Sequence, residues 1–353
     1  MGNGDVMKRA RMQGVVKFER GDGFVELRDV DASPPGLREV KVEVRAAGVC
    51  GSDLHVLRDD IKIAIVPPVV MGHEFSGVIV EKGAEVGDAL QIGDRVTGES
   101  NVSTCGVCRY CRTGFYNLCS HRTVLGYSAH GCYAKFCNVA MAHKLPDNVS
   151  FEAGALTEPL ACCVHGALEQ TGIQAGDSVL VIGPGPAGIL AALVAVSAGG
   201  KVTLCGTTRD QQRLQLAREL GVPETLDVET CLAVDIIRER TGGDGADVVL
   251  ECSGAAAGAR LGLAAVRKRG KYAQFGLFGR AIELDFEQIA FKELQVTGSI
   301  SQHRPSWEKA LTLISQGAVP TDRLISHELP LSAWRQAFDL MEARQCLKII
   351  LRP

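Results

Sequence analysis

Four cysteines, Cys105, Cys108, Cys111 and Cys119, stand in the stretch CGVCRYCRTGFYNLC with two, two and seven residues between them. Thiolates at such intervals in a loop can turn toward one point, and Zn²⁺ accepts four of them tetrahedrally at about 2.3 Å each. Four identical ligands leave no open coordination position, so a site of this kind holds a loop and does not activate substrate. An iron–sulfur cluster is the competing reading, because the first three cysteines reproduce the opening spacing of a bacterial ferredoxin run. Cys119, however, is followed by Ser120 rather than proline, and no second run exists. Chance clustering is the other alternative. The chain has 13 cysteines, and in a reducing compartment close spacing points to metal rather than to disulfides.

A second set of metal-type residues differs in kind. Cys50 lies in GVCGSDLH, and His73 and Glu74 lie in MGHEFSG. A thiolate, an imidazole and a carboxylate are three protein ligands, which leave a position for water or substrate, as catalytic zinc requires. Each alone is bland: a lone cysteine is most often a small buried hydrophobe, and GHE reads as a turn. Ser52 and His55, two and five residues after Cys50, suggest a path for a proton leaving the metal.

A third constellation, GPGPAG, closes the apolar run SVLVI and carries Gly183, Gly185, Pro186, Ala187 and Gly188. Its glycines have dinucleotide-fingerprint spacing: they allow a tight turn and close approach of backbone to pyrophosphate, which meets the N–H groups of a helix beginning near Ala187. An NAD site carries Asp or Glu about 20 residues on, to bind the adenosine ribose. Here the tip reads CGTTRDQQR, with Thr207, Thr208 and Arg209 where the acid would stand and Arg213 beyond. Loss of the carboxylate removes repulsion against a 2′-phosphate, and guanidinium is shaped to grip one. The tip therefore favours NADP over NAD, although Arg213 also fits an exposed helical arginine.

These residues need elements to position them. A chain of 353 residues exceeds what one core usually spans, so two domains are expected. Residues 1–165 are β-rich, with alternating runs such as KVEVRAAG and FSGVIVEKG. Residues 166–300 alternate short apolar strands with helix-like segments, the pattern of a doubly wound parallel sheet. Residues 301–353 carry SWEKALTLISQG, LSAWRQAFDLMEAR and a last strand, LKIIL. The fold class is α/β. The composition, 46% hydrophobic and 22% charged with a net charge of −3, gives no electrostatic footprint for nucleic acid or an anionic membrane, and the partner expected is a small molecule. The longest apolar run, Ile189 to Val196, is far below the roughly 20 residues of a membrane span. The first residues, MGNGDVMKRARMQG, contain no apolar targeting segment, and Val6 occupies the position where a myristoylation signal needs Ser or Thr. The expected location is the cytoplasm.

On GVCGSDLH, GHEFSGVIVEKG, GDRV, the four-cysteine lobe, EPL at Glu158 to Leu160, GPGPAG and the closing LKIIL, the chain resembles the zinc-dependent medium-chain dehydrogenase/reductase family. The likeness covers nearly its whole length and is nearest to the sorbitol (polyol) and L-threonine dehydrogenase branches. The resemblance implies a GroES-like β-rich catalytic domain, 1–165 with 301–353, and a Rossmann domain, 166–300, with the active site in the cleft. It implies a catalytic zinc on Cys50, His73 and either Glu74 or Glu158, a proton relay through Ser52 and His55, Lys348 near the cofactor phosphates, and a structural zinc on the four cysteines. A homo-oligomer, dimer or tetramer, is also expected. The implied reaction passes hydride between a secondary alcohol and C4 of the nicotinamide. Departures from the family limit the substrate. Val56 and Ser301-Gln302 replace the aromatic residue and Arg-Tyr pair of polyol enzymes, while Glu158-Pro159 and Asn101 replace the Asp-Pro and nearby histidine of the threonine branch. A polyol or sugar is expected first and an amino-alcohol second. A zinc-stabilised nucleotide-binding protein without catalysis is the alternative from another class.

Overall fold

The computed structural model describes residues 10–353, so the reading of the targeting signals, insofar as it rests on residues 1–9, lies outside the described residues. Two compact units form: Met1–Glu158 with Ile325–Pro353, and Pro159–Leu324. The segment 301–324, which the family resemblance grouped with the β-rich part, belongs to the second unit. Its helix Arg304–Ser315 buries Trp307, Ala310, Leu311 and Ile314. Amphipathic spacing announces such a buried face without saying which unit covers it.

The first unit is built on a seven-stranded mixed sheet. Its centre is the antiparallel pair Val40–Gly48 and Glu74–Lys82, in which Gly48 stands opposite Glu74 and Val44 opposite Gly77. Strand Val40–Gly48 alternates buried and part-exposed residues over its first half, then becomes buried throughout as it nears Cys50. Alternation of this kind marks one face packed and the other wet. The C-terminal strand Lys348–Arg352 adds to the same sheet, with Ile350 opposite Gly48 and Leu351 opposite Ala47, and Ile325–Pro330 pairs beside it in parallel. This arrangement brings three distant parts of the chain, around residues 48, 74 and 348, to one end of the sheet. Val15, Val42, Phe75, Ile79, Tyr133 and Ile349 are among the fully buried residues of the core beneath.

The second unit is a six-stranded parallel sheet. In space its strands run Glu224–Asp227, Lys201–Gly206, Ser178–Ile182, Ala246–Glu251, Val266–Gln274 and Gln295–Gly298, the order 3-2-1-4-5-6 of a doubly wound dinucleotide fold. Strand Ser178–Ile182 is central and almost wholly buried, as a strand covered on both faces must be. The helix that follows it, Pro186–Ser197, buries eight consecutive residues from Gly188 to Ala195. No helix among the described residues is long and apolar enough to cross a membrane.

The two faces of strand Glu74–Lys82 predict unequal mutational costs. Phe75 is fully buried, whereas Val80 is 37% exposed. Phe75→Ala should destabilise by about 3–5 kcal/mol, the usual cost of emptying a buried aromatic site, and Val80→Thr by no more than about 0.5 kcal/mol. Denaturant unfolding of the two variants checks this, and equal costs would contradict the burial pattern.

Candidate active site

Cys50 is the N-cap of helix Gly51–Arg58. Asp53 reaches back from the first turn, its Oδ2 accepting the Cys50 N–H at 2.9 Å, so the cap fixes the direction in which the thiol leaves the backbone. The register opposite places His73 and Glu74 beside it: Cys50, His73 and Glu74 each offer a ligand atom, all within 4.8 Å of one another. Gly48 makes this approach possible, since a Cβ there would come within 2.2 Å of Glu74 Oε2.

Acidic groups crowd the pocket. His73 Nδ1 lies 3.6 Å from Asp53 Oδ1. Burial disfavours the charged imidazole, yet Asp53, a hydrogen bond with Cys50, and Glu158 together push His73 up to about 10. Burial also raises the Asp53 carboxyl, although His73, the Tyr133 hydroxyl and the Cys50 N–H work against the rise. His73 Nδ1 and Glu74 Oε1 are buried with no hydrogen-bond partner. A thiolate, an imidazole and a carboxylate with unspent acceptors fit a zinc ion.

Lys348 is placed differently from the expectation of a phosphate contact. Its side chain is buried, its ammonium donates to Val49 O at 3.0 Å, and it forms a buried ion pair with Glu74. Burial opposes its charge, but Glu74, Cys50 and Glu158 outweigh burial and raise its pKa. The ammonium is therefore engaged inside the metal pocket rather than offered to a nucleotide. Glu158, on helix Thr157–Val164, is buried. It acts electrostatically on both His73 and Lys348, but lies outside the tight group formed by Cys50, His73 and Glu74.

Ser52 and His55 are not hydrogen-bonded to one another. Ser52 Oγ accepts from the Tyr127 hydroxyl at 2.7 Å, and the Tyr127 ring lies against His73 with 5.4 Å between centroids. His55 Nδ1 instead meets Asp60 Oδ1 at 2.7 Å on a more exposed face. Tyr127 and Tyr133 were not legible as site residues. Asp53 was within reach of sequence reading, because an acidic residue three positions after a cap is a capping-box signal.

The four cysteines converge. Cys105 Sγ lies 3.6 Å from Cys119 Sγ and 3.9 Å from Cys111 Sγ, bracketing the separation of about 3.8 Å that tetrahedral bonds of about 2.3 Å impose. Backbone N–H groups already point at sulfur, from Cys108 to Cys105 at 3.3 Å and from Cys111 to Cys108 at 3.4 Å. The N–H groups of Cys108 and Val107 hold the Cys105 thiol down to about 6. Cys108 goes the other way, to about 11: the Cys111 N–H favours its thiolate, but burial and the neighbouring sulfurs prevail. Sulfurs this close share charge poorly unless a cation sits among them, and the donor set fits zinc.

At the fingerprint, Gly183 has φ +97°, and a Cβ on it would come within 2.7 Å of Ser253 Cα. Gly188 packs so closely that a Cβ would stand 1.8 Å from Gly183 O. Gly185 caps the helix, Pro186 and Ala187 open its first turn, and the space where a Gly185 Cβ would go is empty to 4 Å. The turn is thus tight on two sides and open on the one that a pyrophosphate would approach. At the neighbouring strand tip, Thr207 and Asp210 form a capping box. Thr208 donates its N–H to Glu229 and its hydroxyl to Asp227, at 3.0 and 2.8 Å. These carboxylates come from the next strand and the turn after it, which the tip sequence alone did not reveal. Arg209 is exposed, and Arg213 lies 3.9 Å from Asp210. Gly188→Ala should destabilise by about 1–3 kcal/mol through overpacking, and Gly185→Ala by less than about 1 kcal/mol. Thermal unfolding without nucleotide measures both.

Comparison with known proteins agrees with this geometry. The alcohol dehydrogenase GroES-like domain family matches residues 36–147, and the zinc-binding dehydrogenase family matches residues 186–316. Sorbitol dehydrogenase of Halalkalibacterium halodurans is 43% identical over 345 residues, 97% of this chain and 99% of that protein. D-arabitol-phosphate dehydrogenase of Enterococcus avium is 37% identical, over 96% of this chain and 97% of its own. A zinc-binding dehydrogenase from Sinorhizobium meliloti 1021, solved bound to NADP, superposes with a TM-score of 0.88 at 32% identity, covering 98% of this chain and 100% of that one. With both halves matched and relatives aligned almost end to end, the chain belongs to the zinc-binding alcohol dehydrogenase family, a GroES-like unit joined to a Rossmann unit.

Proposed function

We propose that the protein passes hydride between a secondary alcohol of a polyol or sugar and NADP, with one catalytic and one structural zinc. The observation that carries this reading is the convergence of part-buried Cys50 with buried His73 and Glu74, in a chain 43% identical to a sorbitol dehydrogenase. Zinc, when bound, supplies Lewis acidity toward the alcohol oxygen, and the nicotinamide takes the hydride. Cys50 and His73 hold the ion. Lys348 holds one oxygen of Glu74 and leaves the other, Oε1, unpartnered, so the third protein ligand is either Glu74 or Glu158.

Ser52 Oγ, which accepts from the Tyr127 hydroxyl, keeps a second lone pair that would take the substrate proton as its own hydroxyl hydrogen passes on toward solvent. His55, with Asp60 behind it, lies on a more exposed face of the helix and returns to water a proton that reaches it through solvent, since no hydrogen bond links it to Ser52. The four-cysteine lobe keeps its chain segment folded. Gly183, Gly185 and Gly188 seat the pyrophosphate. Arg209, exposed at the ribose end, grips the 2′-phosphate, while Asp227 and Glu229 are occupied by Thr208 and Gln211.

Two zinc ions per chain are expected, with unequal lability. Mild chelation should remove one ion together with activity and leave the closed four-thiolate site filled; metal analysis showing a single zinc in active protein would exclude the arrangement. Replacing the ligating carboxylate should weaken retention of the labile ion by at least about 10- to 100-fold, so the larger loss between Glu74→Gln and Glu158→Gln identifies the third ligand. Unchanged retention in both variants would exclude a carboxylate from the site.

A panel of polyols, sugars and amino-alcohols assayed with NADP and NAD tests substrate class and cofactor together. Polyols or sugars should give the highest kcat/KM, and a preference for L-threonine-like substrates would overturn the polyol reading. Arg209→Ala should raise KM for NADP about 10-fold, the loss of one charge-assisted hydrogen bond, and leave the NAD reaction unchanged. Wild-type protein using NAD at least as well as NADP would remove Arg209 from the site. Ser52→Ala should lower kcat by about 10²-fold or more with the metal retained, and the His55→Ala loss should be smaller.

A further inference from the structure

A third cluster of ligand-type side chains lies within the second unit. A π-helical turn, His165–Gln170, carries His165 and Glu169. His303 caps the helix Arg304–Ser315. His165 Nδ1 lies 2.8 Å from Glu169 Oε2 and His303 Nε2 lies 3.2 Å from the same oxygen. The two imidazoles meet edge to face with centroids 4.8 Å apart, and both histidines are buried.

From this convergence we propose that His165, Glu169 and His303 form a binding site for a divalent transition-metal ion, separate from the two zinc sites. Glu169 Oε2 also receives the Ser306 hydroxyl at 3.0 Å, so three polar groups crowd one carboxylate oxygen, which has room for roughly two hydrogen bonds. Glu169 Oε1, by contrast, is buried with no hydrogen-bond partner. With an ion bound, the two nitrogens and one oxygen become ligands to a single centre, and Ser306 remains as the donor that orients the carboxylate. Bonds of about 2.0–2.2 Å at tetrahedral angles separate ligands by about 3.4 Å, so the cluster needs to open by only a few tenths of an ångström. The three ligand atoms already lie within 4.8 Å of one another.

The surroundings accommodate the change of tautomer. Gln170 Nε2 faces His165 Nε2 at 3.3 Å. When Nδ1 binds metal the proton moves to Nε2, and the Gln170 amide turns its oxygen to accept it, the outer partner that ligating histidines usually have. Two imidazoles and one carboxylate suit Zn²⁺, Ni²⁺ or Co²⁺ and give Mg²⁺ or Ca²⁺ little preference. Lys309 Nζ, 3.6 Å from Glu169 Oε1 and half exposed, is the competing lysine among the described residues, and it can swing into solvent when an ion enters.

The test uses Ni²⁺ on the protein carrying its full zinc complement. Wild type should take up one further ion per chain in equilibrium dialysis, and its melting temperature should rise with Ni²⁺ concentration. Glu169→Gln and His303→Asn should each lower Ni²⁺ affinity at least about 10-fold, abolish the Ni²⁺-dependent rise in melting temperature, and leave zinc content unchanged. X-ray absorption of Ni²⁺ on wild type supplies a readout that needs no variant. Two imidazoles with oxygen donors support the site, while sulfur ligation would assign the ion to cysteines and overturn it. Uptake of no extra ion up to about 1 mM free Ni²⁺, a Kd weaker than any site of consequence, or unchanged uptake by the variants would also overturn it. None of these readouts depends on enzymatic activity.

Discussion

The first unit turns on a buried charge pair, Glu74 with Lys348. Both side chains are buried, and they come from positions 274 residues apart. Taking either charge out of water alone is expensive, and removing one partner of such a pair typically costs about 3–5 kcal/mol. The ammonium can reach Glu74 only if the C-terminal strand lies in the sheet beside Gly48, and Glu74 can sit there only because residue 48 has no side chain to occupy its space. Register, glycine and lysine form one constraint, and from it follow the positions of Cys50 and His73.

The same pair explains how a pocket with so many acceptors stays folded. Asp53, Glu74, Glu158 and the Cys50 thiol face a small buried volume, and Lys348 and a readily charged His73 are the protein's own counterweights. A dication entering there releases the imidazole proton and takes over part of that balance. The four-cysteine lobe solves a similar problem by other means, with backbone N–H groups aimed at sulfur within a single short segment. One site depends on the whole sheet, the other on fifteen consecutive residues.

That contrast also decides what the sequence made readable. The lobe and the fingerprint turn are local: their spacing alone fixes which atoms can meet, and the helix begins at Pro186, next to the expected Ala187. Cys50, His73 and Glu74 were legible by residue type, but their meeting depends on a strand register that no short window contains. Lys348 was misplaced because its partner lies in another strand of the sheet, far off in sequence. Asp227 and Glu229 escaped notice for the same reason, since they reach Thr208 across a parallel pairing. Tyr127 gave no signal, being an unremarked aromatic in LGYSAHG that earns its place through one hydroxyl on Ser52. The helix Arg304–Ser315 was recognised as a helix, but its unit was not, because amphipathicity reports a buried face and not its cover.

The order in which the chain leaves the ribosome gives the divided first unit a temporal consequence. Pro159–Leu324 is contiguous and can close its parallel sheet as soon as it has emerged, in keeping with domains folding as units during synthesis. The first unit cannot. Until Ile325–Pro353 is released, the Ala47–Gly48 end of strand Val40–Gly48 lacks one of its neighbours and Glu74 lacks its cation, so the metal pocket is the last part of the first unit to mature. A chain truncated before Lys348 would carry every zinc ligand and still present an unfinished sheet edge, the kind of exposed strand that pairs with other chains.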